Sequence, residues 1–311
     1  MSARSSEPGS VAVSAELFAP VRPDVELCYQ TFGDPDDEPL LLVMGLGGPM
    51  IWWDAELCRM LAAAGFYVIR YDNRDTGRSS RIEGRVTRVS LARAFTGRRV
   101  RAPYTMADLA ADAFGLLDHL GIDAAHVAGV SMGGMIVQTM AITEPRRVLS
   151  MTSIMSTTGK RTVGWQHPNL LPALIGNKRG SREAYVKASR QMWRLIGSPG
   201  YPEPEEATRK RAEDTWDRGI SAAGTMRQML AILTQPDRSA RLRSVRVPTT
   251  VIHGLADRMV HVSGGRATAR AVPGAELLLV DGMGHDLPPA LHDTFVDAIR
   301  RTADRAGRPR S

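Results

Sequence analysis

Residues 126–142 narrow the folds open to this chain more than any other stretch. His126–Val130 is an apolar run of strand length, and Gly129-Val130-Ser131-Met132-Gly133 is a G-x-S-x-G signature. Gly133–Ile142 then continues with the composition of a buried helix. A serine on so tight a strand-to-helix turn is held in strained dihedrals, and its neighbours must be small. Gly129 and Gly133 meet that demand, and Gly134 lets helix and strand pack closely. The turn lifts the Ser131 hydroxyl above the strand ends and aims the helix N-terminus at whatever binds there. The five-residue signature arises often by chance, so the strand before it and the helix after it carry the reading.

The rest of the chain alternates strands and helices. Val25–Thr31 alternates in polarity and runs into the turn-rich Gly33–Asp37, which predicts an antiparallel edge strand. Leu40–Met44, Tyr67–Tyr71, Val148–Met155, Thr249–His253 and Leu277–Val280 read as short buried strands. Between them fall helices over Asp54–Ala64, Thr105–Leu120 (Thr105 as N-cap, Gly121 as stop), Ser263–Ala271 and Leu287–Arg301. This alternation predicts an α/β fold, a mostly parallel central sheet flanked by helices. Residues 157–240 break the rhythm with Trp165, Trp193, Trp216 and many methionines. They are expected to form an inserted helical cap on a core of residues 16–156 and 241–303. Residues 1–15 are expected to be disordered, and 304–311 to be a basic tail.

Composition removes several classes. Cys28 and Cys58 are the only cysteines and show no ligand spacing, which argues against a zinc module or a disulfide scaffold. The first ten residues hold no apolar core of a signal peptide, and glycines and a proline interrupt the longest apolar run, Leu40–Trp53. A cytoplasmic protein without a membrane span is therefore expected. The 40 Lys and Arg against 33 Asp and Glu leave a net +7, a balance that can signal nucleic acid, an anionic membrane surface or an acidic ligand. The excess is local. Residues 81–101 hold seven arginines against Glu83 alone, a net +6, and residues 300–311 hold a net +4. No nucleic-acid motif accompanies them, and no nucleic-acid partner is expected. The 81–101 segment reads either as a solvated loop or as a basic rim favouring an anionic substrate.

A serine hydroxyl needs a base to act as a nucleophile at neutral pH. In a strand–turn–helix setting the acid and then the histidine follow the serine along the chain. Asp257 lies four residues past the Thr249–His253 strand, and His285 lies on the Gly282-Met283-Gly284-His285 loop after the final strand. The assignment is Ser131 as nucleophile, His285 as general base and then acid, and Asp257 as the carboxylate that orients the imidazole. His253 and His261 are rival bases, but His253 is expected to point into the sheet. Asp281 and Asp286 are rival acids, but each sits awkwardly close to His285 in sequence. The tetrahedral oxyanion needs donors. The backbone N–H groups of Met132 and of Leu46, in the loop Met44–Pro49, are the candidates, and no Gly-Lys-Ser/Thr follows to make that loop a phosphate cradle.

These segments, with Arg70-Tyr71-Asp72-Asn73-Arg74-Asp75-Thr76-Gly77-Arg78-Ser79-Ser80, resemble the α/β-hydrolase fold family over about residues 24–303. They are similar to actinobacterial esterase/lipase members of the aclacinomycin methylesterase type. Met44 stands where the family commonly has a histidine, which costs no donor. The resemblance implies a carboxylic-ester hydrolase with no cofactor or metal, acting on an apolar small-molecule or methyl ester. A serine at the elbow argues against dehalogenase and epoxide hydrolase chemistry, which uses aspartate there. Thioesterase, lactonase, cofactor-free haloperoxidase and carbon–carbon hydrolase readings stay open, as does a non-catalytic ligand-binding protein on the same fold and a homodimer. Asp72, Arg74 and Asp75 are expected to form a structural ion-pair network. Gly45, Trp52, Trp53 and Trp193 are the candidate walls of the substrate pocket.

Overall fold

The computed structural model describes residues 11–170 and 180–307. Eight strands form one sheet: β1 (Leu17–Arg22), β2 (Val25–Phe32), β3 (Glu38–Val43), β4 (Phe66–Tyr71), β5 (Ala125–Val130), β6 (Val148–Ile154), β7 (Thr249–Gly254) and β8 (Glu276–Val280). Their order is β1-β2-β4-β3-β5-β6-β7-β8. The first two junctions are antiparallel and the other five parallel. Each parallel crossover is long, so helices cover both faces of the sheet. The alternation of β3 shows how the two faces are filled. Leu41 and Val43 join the core beneath α3 (Met106–His119) and α4 (Met132–Thr143), while Leu40 and Leu42 join the core beneath α1 (Ala55–Ala63) and α10 (His292–Asp304).

The chain turns to one side after β3 to reach β4, and to the other to reach β5. Order reversal leaves a crevice at the carboxyl ends of β3 and β5, the place where open parallel sheets bind ligands. The loop after β3 and Ser131 after β5 both open there. β5 is pinned on each side: Val43 pairs with Gly129 and Val130 with Ile154, and the Ser131 N–H donates to Ile154 O at 2.9 Å.

Three departures from the sequence reading have local causes. Val25–Phe32 is not the edge strand. β1 lies outside it, unsignalled because Pro20 and the exposed Leu17 and Phe18 break the alternation. Residues 11–14 are ordered against β2, with Ser14 N–H donating to Thr31 O at 3.0 Å and Gly33 N–H to Ala12 O at 2.9 Å; residues 1–10 lie outside the described residues. The last helix begins at His292 rather than Leu287, because a residue preceding proline is driven out of the helical region: Pro288, before Pro289, is extended (ψ 141°), and a short 3-10 turn, Pro289–Leu291, comes first. The expected start of α3 is met: Thr105 and Asp108 form a reciprocal capping box.

Between β6 and β7 the chain places α5 (Arg182–Ile196), α6 (Glu205–Arg218), α7 (Ala222–Thr234) and the short α8 (Ser239–Leu242). Residues 171–179 lie outside the described residues. A further helix, α2 (Arg88–Phe95), falls inside the arginine-rich segment and packs against α7. α9 (Ser263–Ala271) lies between β7 and β8. No helix among the described residues is long and apolar enough to cross a membrane.

Candidate active site

Ser131 sits at φ 56° and ψ −115°, a left-handed conformation that costs a non-glycine residue of order 1–3 kcal/mol. The surroundings enforce it. A methyl group on Gly133 would collide with Val43 O, and one on Gly129 with Gly133 O, so strand, turn and helix are closer than any side chain allows. The Ser156 hydroxyl donates to Ser131 O at 2.7 Å and braces the turn from β6. Ser131 is half-buried and stands at the N-terminus of α4.

Gly45 faces it. A methyl there would lie 3.1 Å from Ser131 Cβ and 3.7 Å from Ser131 Oγ, so the loop after β3 runs directly over the serine. Among the described residues neither Leu46 N–H nor Met132 N–H donates a hydrogen bond within the protein. Two backbone donors on adjacent loops are thus left unengaged beside one strained hydroxyl.

His285 and Asp257 meet across the ends of β8 and β7. His285 Nδ1–H donates to Asp257 Oδ2 at 2.8 Å, which leaves Nε2 as the ring's acceptor. Asp257 Oδ1 accepts the N–H groups of Met259 and Val260, both at 2.8 Å. Burial by itself would raise the Asp257 carboxyl. The charge of His285 and hydrogen bonds from His253 and His285 outweigh it and hold the group below the usual carboxylate range. Among the described residues no hydrogen bond joins His285 to the Ser131 hydroxyl, and such bonds in ligand-free enzymes commonly tighten only with substrate.

The rivals are engaged elsewhere. Asp286 accepts from both the backbone N–H and the hydroxyl of Ser198, and burial raises its carboxyl. Asp281 is exposed. His253 is fully buried and donates from Nε2 to Val260 O at 2.8 Å, 3.5 Å from Asp257 Oδ2. His261 pairs with Ser263 and stacks on Trp165.

Of the four expected pocket walls, Gly45 borders the serine. Trp52 bridges to the inserted helices, donating from Nε1 to Thr215 Oγ1 at 2.9 Å and meeting Trp193 edge-to-face at 5.2 Å. Trp193 also carries Arg211 over its ring at 4.6 Å. Trp53 is a correction: it is wholly enclosed in the core that holds Leu57, Cys58 and Leu61, so its indole faces no pocket. Adjacent aromatic residues entering a helix cannot both face one side, and the inner position took the core.

The Asp72–Ser80 segment is the expected ion-pair network, with partners that the sequence reading did not foresee. Arg74 pairs with Asp112, Asp72 receives Arg218 (3.0 and 2.8 Å), and Asp75 receives Arg227 (2.8 and 2.6 Å) and the Tyr104 hydroxyl. Arg218 and Arg227 come from α6 and α7, so buried charge ties the insert to the sheet. Gln228 adds a third tie. Its Oε1 accepts Gly47 N–H at 2.8 Å, while Nε2 donates to Arg74 O and Thr76 Oγ1, both at 2.9 Å. The signal was a lone amide on the inward Gly224–Gln228–Ala231 stripe of an apolar helix. A fourth tie reaches the histidine loop: Ile196 O accepts His285 N–H at 2.7 Å, and Ser198 Oγ accepts Gly284 N–H at 2.8 Å. The insert therefore holds both the loop over Ser131 and the loop carrying His285.

The sequence profile of the alpha/beta hydrolase fold matches residues 38–288. The chain belongs to the alpha/beta hydrolase fold family. It is similar to rhodomycin D methylesterase of Streptomyces sp. (strain C5), 31% identical over 299 residues, covering 89% of this chain and 94% of that protein. The rhodomycin D methylesterase of Streptomyces peucetius is 30% identical over 296 residues, with the same coverage. Among solved structures, the enol-lactonase from Burkholderia xenovorans LB400 superposes with a TM-score of 0.70 at 22% identity, covering 93% of this chain and all of that one. That likeness speaks for the fold alone.

Proposed function

We propose that this alpha/beta hydrolase cleaves a carboxylic ester through an acyl-enzyme on Ser131. The observation that supports the assignment is that four loops, after β3, β5, β7 and β8, leave the carboxyl edge of one parallel sheet. They carry a strained serine after β5 with the Met132 amide beside it, the unengaged Leu46 amide after β3, and a hydrogen-bonded Asp257–His285 pair after β7 and β8.

The roles follow. His285 Nε2 takes the Ser131 proton as Oγ attacks the carbonyl carbon, and the carbonyl π pair moves onto oxygen. The N–H groups of Leu46 and Met132 hold that oxyanion; each such donor is worth of order 10²–10³ in rate. Asp257 fixes the Nδ1–H tautomer and stabilises the imidazolium. The imidazolium then gives its proton to the departing alkoxide, which leaves as the alcohol. Water, deprotonated by the same ring, attacks the acyl carbon and releases the acid and free Ser131.

Residues 157–240 act in this reading as a cap, with 16–156 and 241–303 as the hydrolase core. Trp52 and Trp193 supply an apolar wall, which suits an apolar small molecule, and the likeness to methylesterases favours a methyl ester. The decisive test is labelling with a fluorophosphonate probe beside turnover of p-nitrophenyl, thioester and lactone panels. Wild-type protein is expected to be labelled at Ser131 and to turn over oxygen esters best. Full ester activity in Ser131→Ala would overturn the assignment.

A further inference from the structure

The arginine-rich segment presents a surface that the reaction does not use. α2 is fixed at both ends: the Thr87 hydroxyl accepts Ser90 N–H at 3.0 Å, and Arg161 donates to the terminal carbonyls of Ala94 and Phe95. Its inner side packs on α7, and Arg227 of α7 also holds Gly84 O at 3.0 Å. The outward arc is Arg88, Val89, Ala92, Arg93 and Phe95. Val89 is 68% exposed and Phe95 64%, the largest exposures among the big apolar side chains described.

On and beside that helix in sequence lie Arg85, Arg88, Arg93, Arg98, Arg99 and Arg101, all exposed. Among the described residues, none of the six makes a salt bridge. On α5 and α6 Arg182, Arg190, Arg194 and Arg209 are paired, while Arg146, Arg243, Arg266 and Arg301 elsewhere are unpaired but scattered, so what sets this segment apart is six such arginines within 17 residues. Six exposed arginines without a salt bridge among the described residues, on and beside a short helix that exposes valine and phenylalanine, make a concentrated basic and apolar surface.

We infer that α2 and its flanking arginines dock the protein onto an anionic lipid bilayer. Charge complementarity selects a polyanionic surface, and the apolar arc selects one with a hydrocarbon layer beneath its charges. Guanidinium groups stay at the headgroup level while Val89, Ala92 and Phe95 enter the acyl boundary. A second copy of the chain does not fit, because this face would meet its own +6 segment. Nucleic acid offers the charge but nothing for Val89 and Ala92, which have no ring to stack. Docking turns toward the bilayer the helix pair α2–α7, whose Gln228 holds the loop over Ser131, so a lipophilic ester would be met where it partitions.

The test is co-sedimentation of the full chain with vesicles of phosphatidylglycerol mixed with phosphatidylcholine, against pure phosphatidylcholine. Binding is expected to the anionic vesicles only, and to fall steeply with added salt. Each arginine removed should weaken partitioning about fivefold, so a triple Arg88→Gln, Arg93→Gln, Arg99→Gln variant should lose about 100-fold. Phe95→Ser should also weaken binding, and Phe95→Trp should show a blue-shifted emission on anionic vesicles alone. Turnover of a soluble neutral ester by these variants, expected to match wild type, reports folding and separates this proposal from the catalytic one. No binding to anionic vesicles, equal binding by the triple variant, or tighter binding to duplex DNA that ignores Phe95→Ser would overturn it.

Discussion

Single side chains decide the chemistry by what holds them. Asp257 and Asp286 are both buried aspartates within reach of the His285 loop, yet one bonds the imidazole and the other is consumed by Ser198. Asp257→Asn should therefore lower kcat by about 10³–10⁴-fold, because the neutral amide no longer selects the productive tautomer. Asp286→Asn should act mainly on stability, read by thermal unfolding. Gln228 touches none of the reacting atoms, but one amide spans Gly47, Arg74 and Thr76. Gln228→Leu, of similar size, removes all three bonds and frees the loop carrying Leu46. The expected outcome is a kcat loss of up to about 100-fold with KM little changed, since a displaced donor is felt in the transition state more than in binding.

Elements join through contacts that tolerate no substitution by size or charge. The α4 start is the tightest junction, and Gly133→Ala should cost about 3 kcal/mol or more through its collision with Val43 O, seen as a lowered midpoint in urea. The α6–sheet junction is electrostatic. Arg218 is buried between Asp72 and Glu16, and the surrounding carboxylates raise its guanidinium further although burial opposes this. Arg218→Met leaves Asp72 as an uncompensated buried charge, an expected loss of about 3–5 kcal/mol. The strands and most helices were legible from short-range pattern: Leu40–Leu42 as a buried run, Thr105 and Asp108 as a capping pair, Gly121 as a stop. β1 was not, because Pro20 interrupts it and pairing with β2 rather than its own pattern makes it a strand. α2 was missed for the same reason, since its inward Leu91 and Ala94 are too few to mark a periodicity without α7 beside them.

For the molecule as a whole, burial of titratable groups sets how it responds to its medium. Burial pushes His126 down to about 4, while the unfolded side chain titrates near 6.5. Between those values the unfolded chain binds the extra proton, so stability falls as pH drops from about 6.5 to 4, by about 3 kcal/mol in all. Urea midpoints across that range should show the slope, and His126→Asn should flatten it. Both thiols are buried, and burial pushes each up to about 12, so neither should react with a thiol reagent until the chain unfolds. The amino-acid sequence by itself determined the α/β alternation, the serine turn and the order of serine, aspartate and histidine along the chain, because strand period, glycine geometry and turn chemistry are written in neighbouring residues. Only the tertiary structure decided that His285 bonds Asp257 and not Asp286, that Trp53 is core and Trp52 reaches the insert, and that Gln228 clamps the loop over Ser131. Those outcomes depend on which loops the strand order brings to one crevice, and residues 47 and 228 or 198 and 286 become neighbours only when the sheet and its insert have closed.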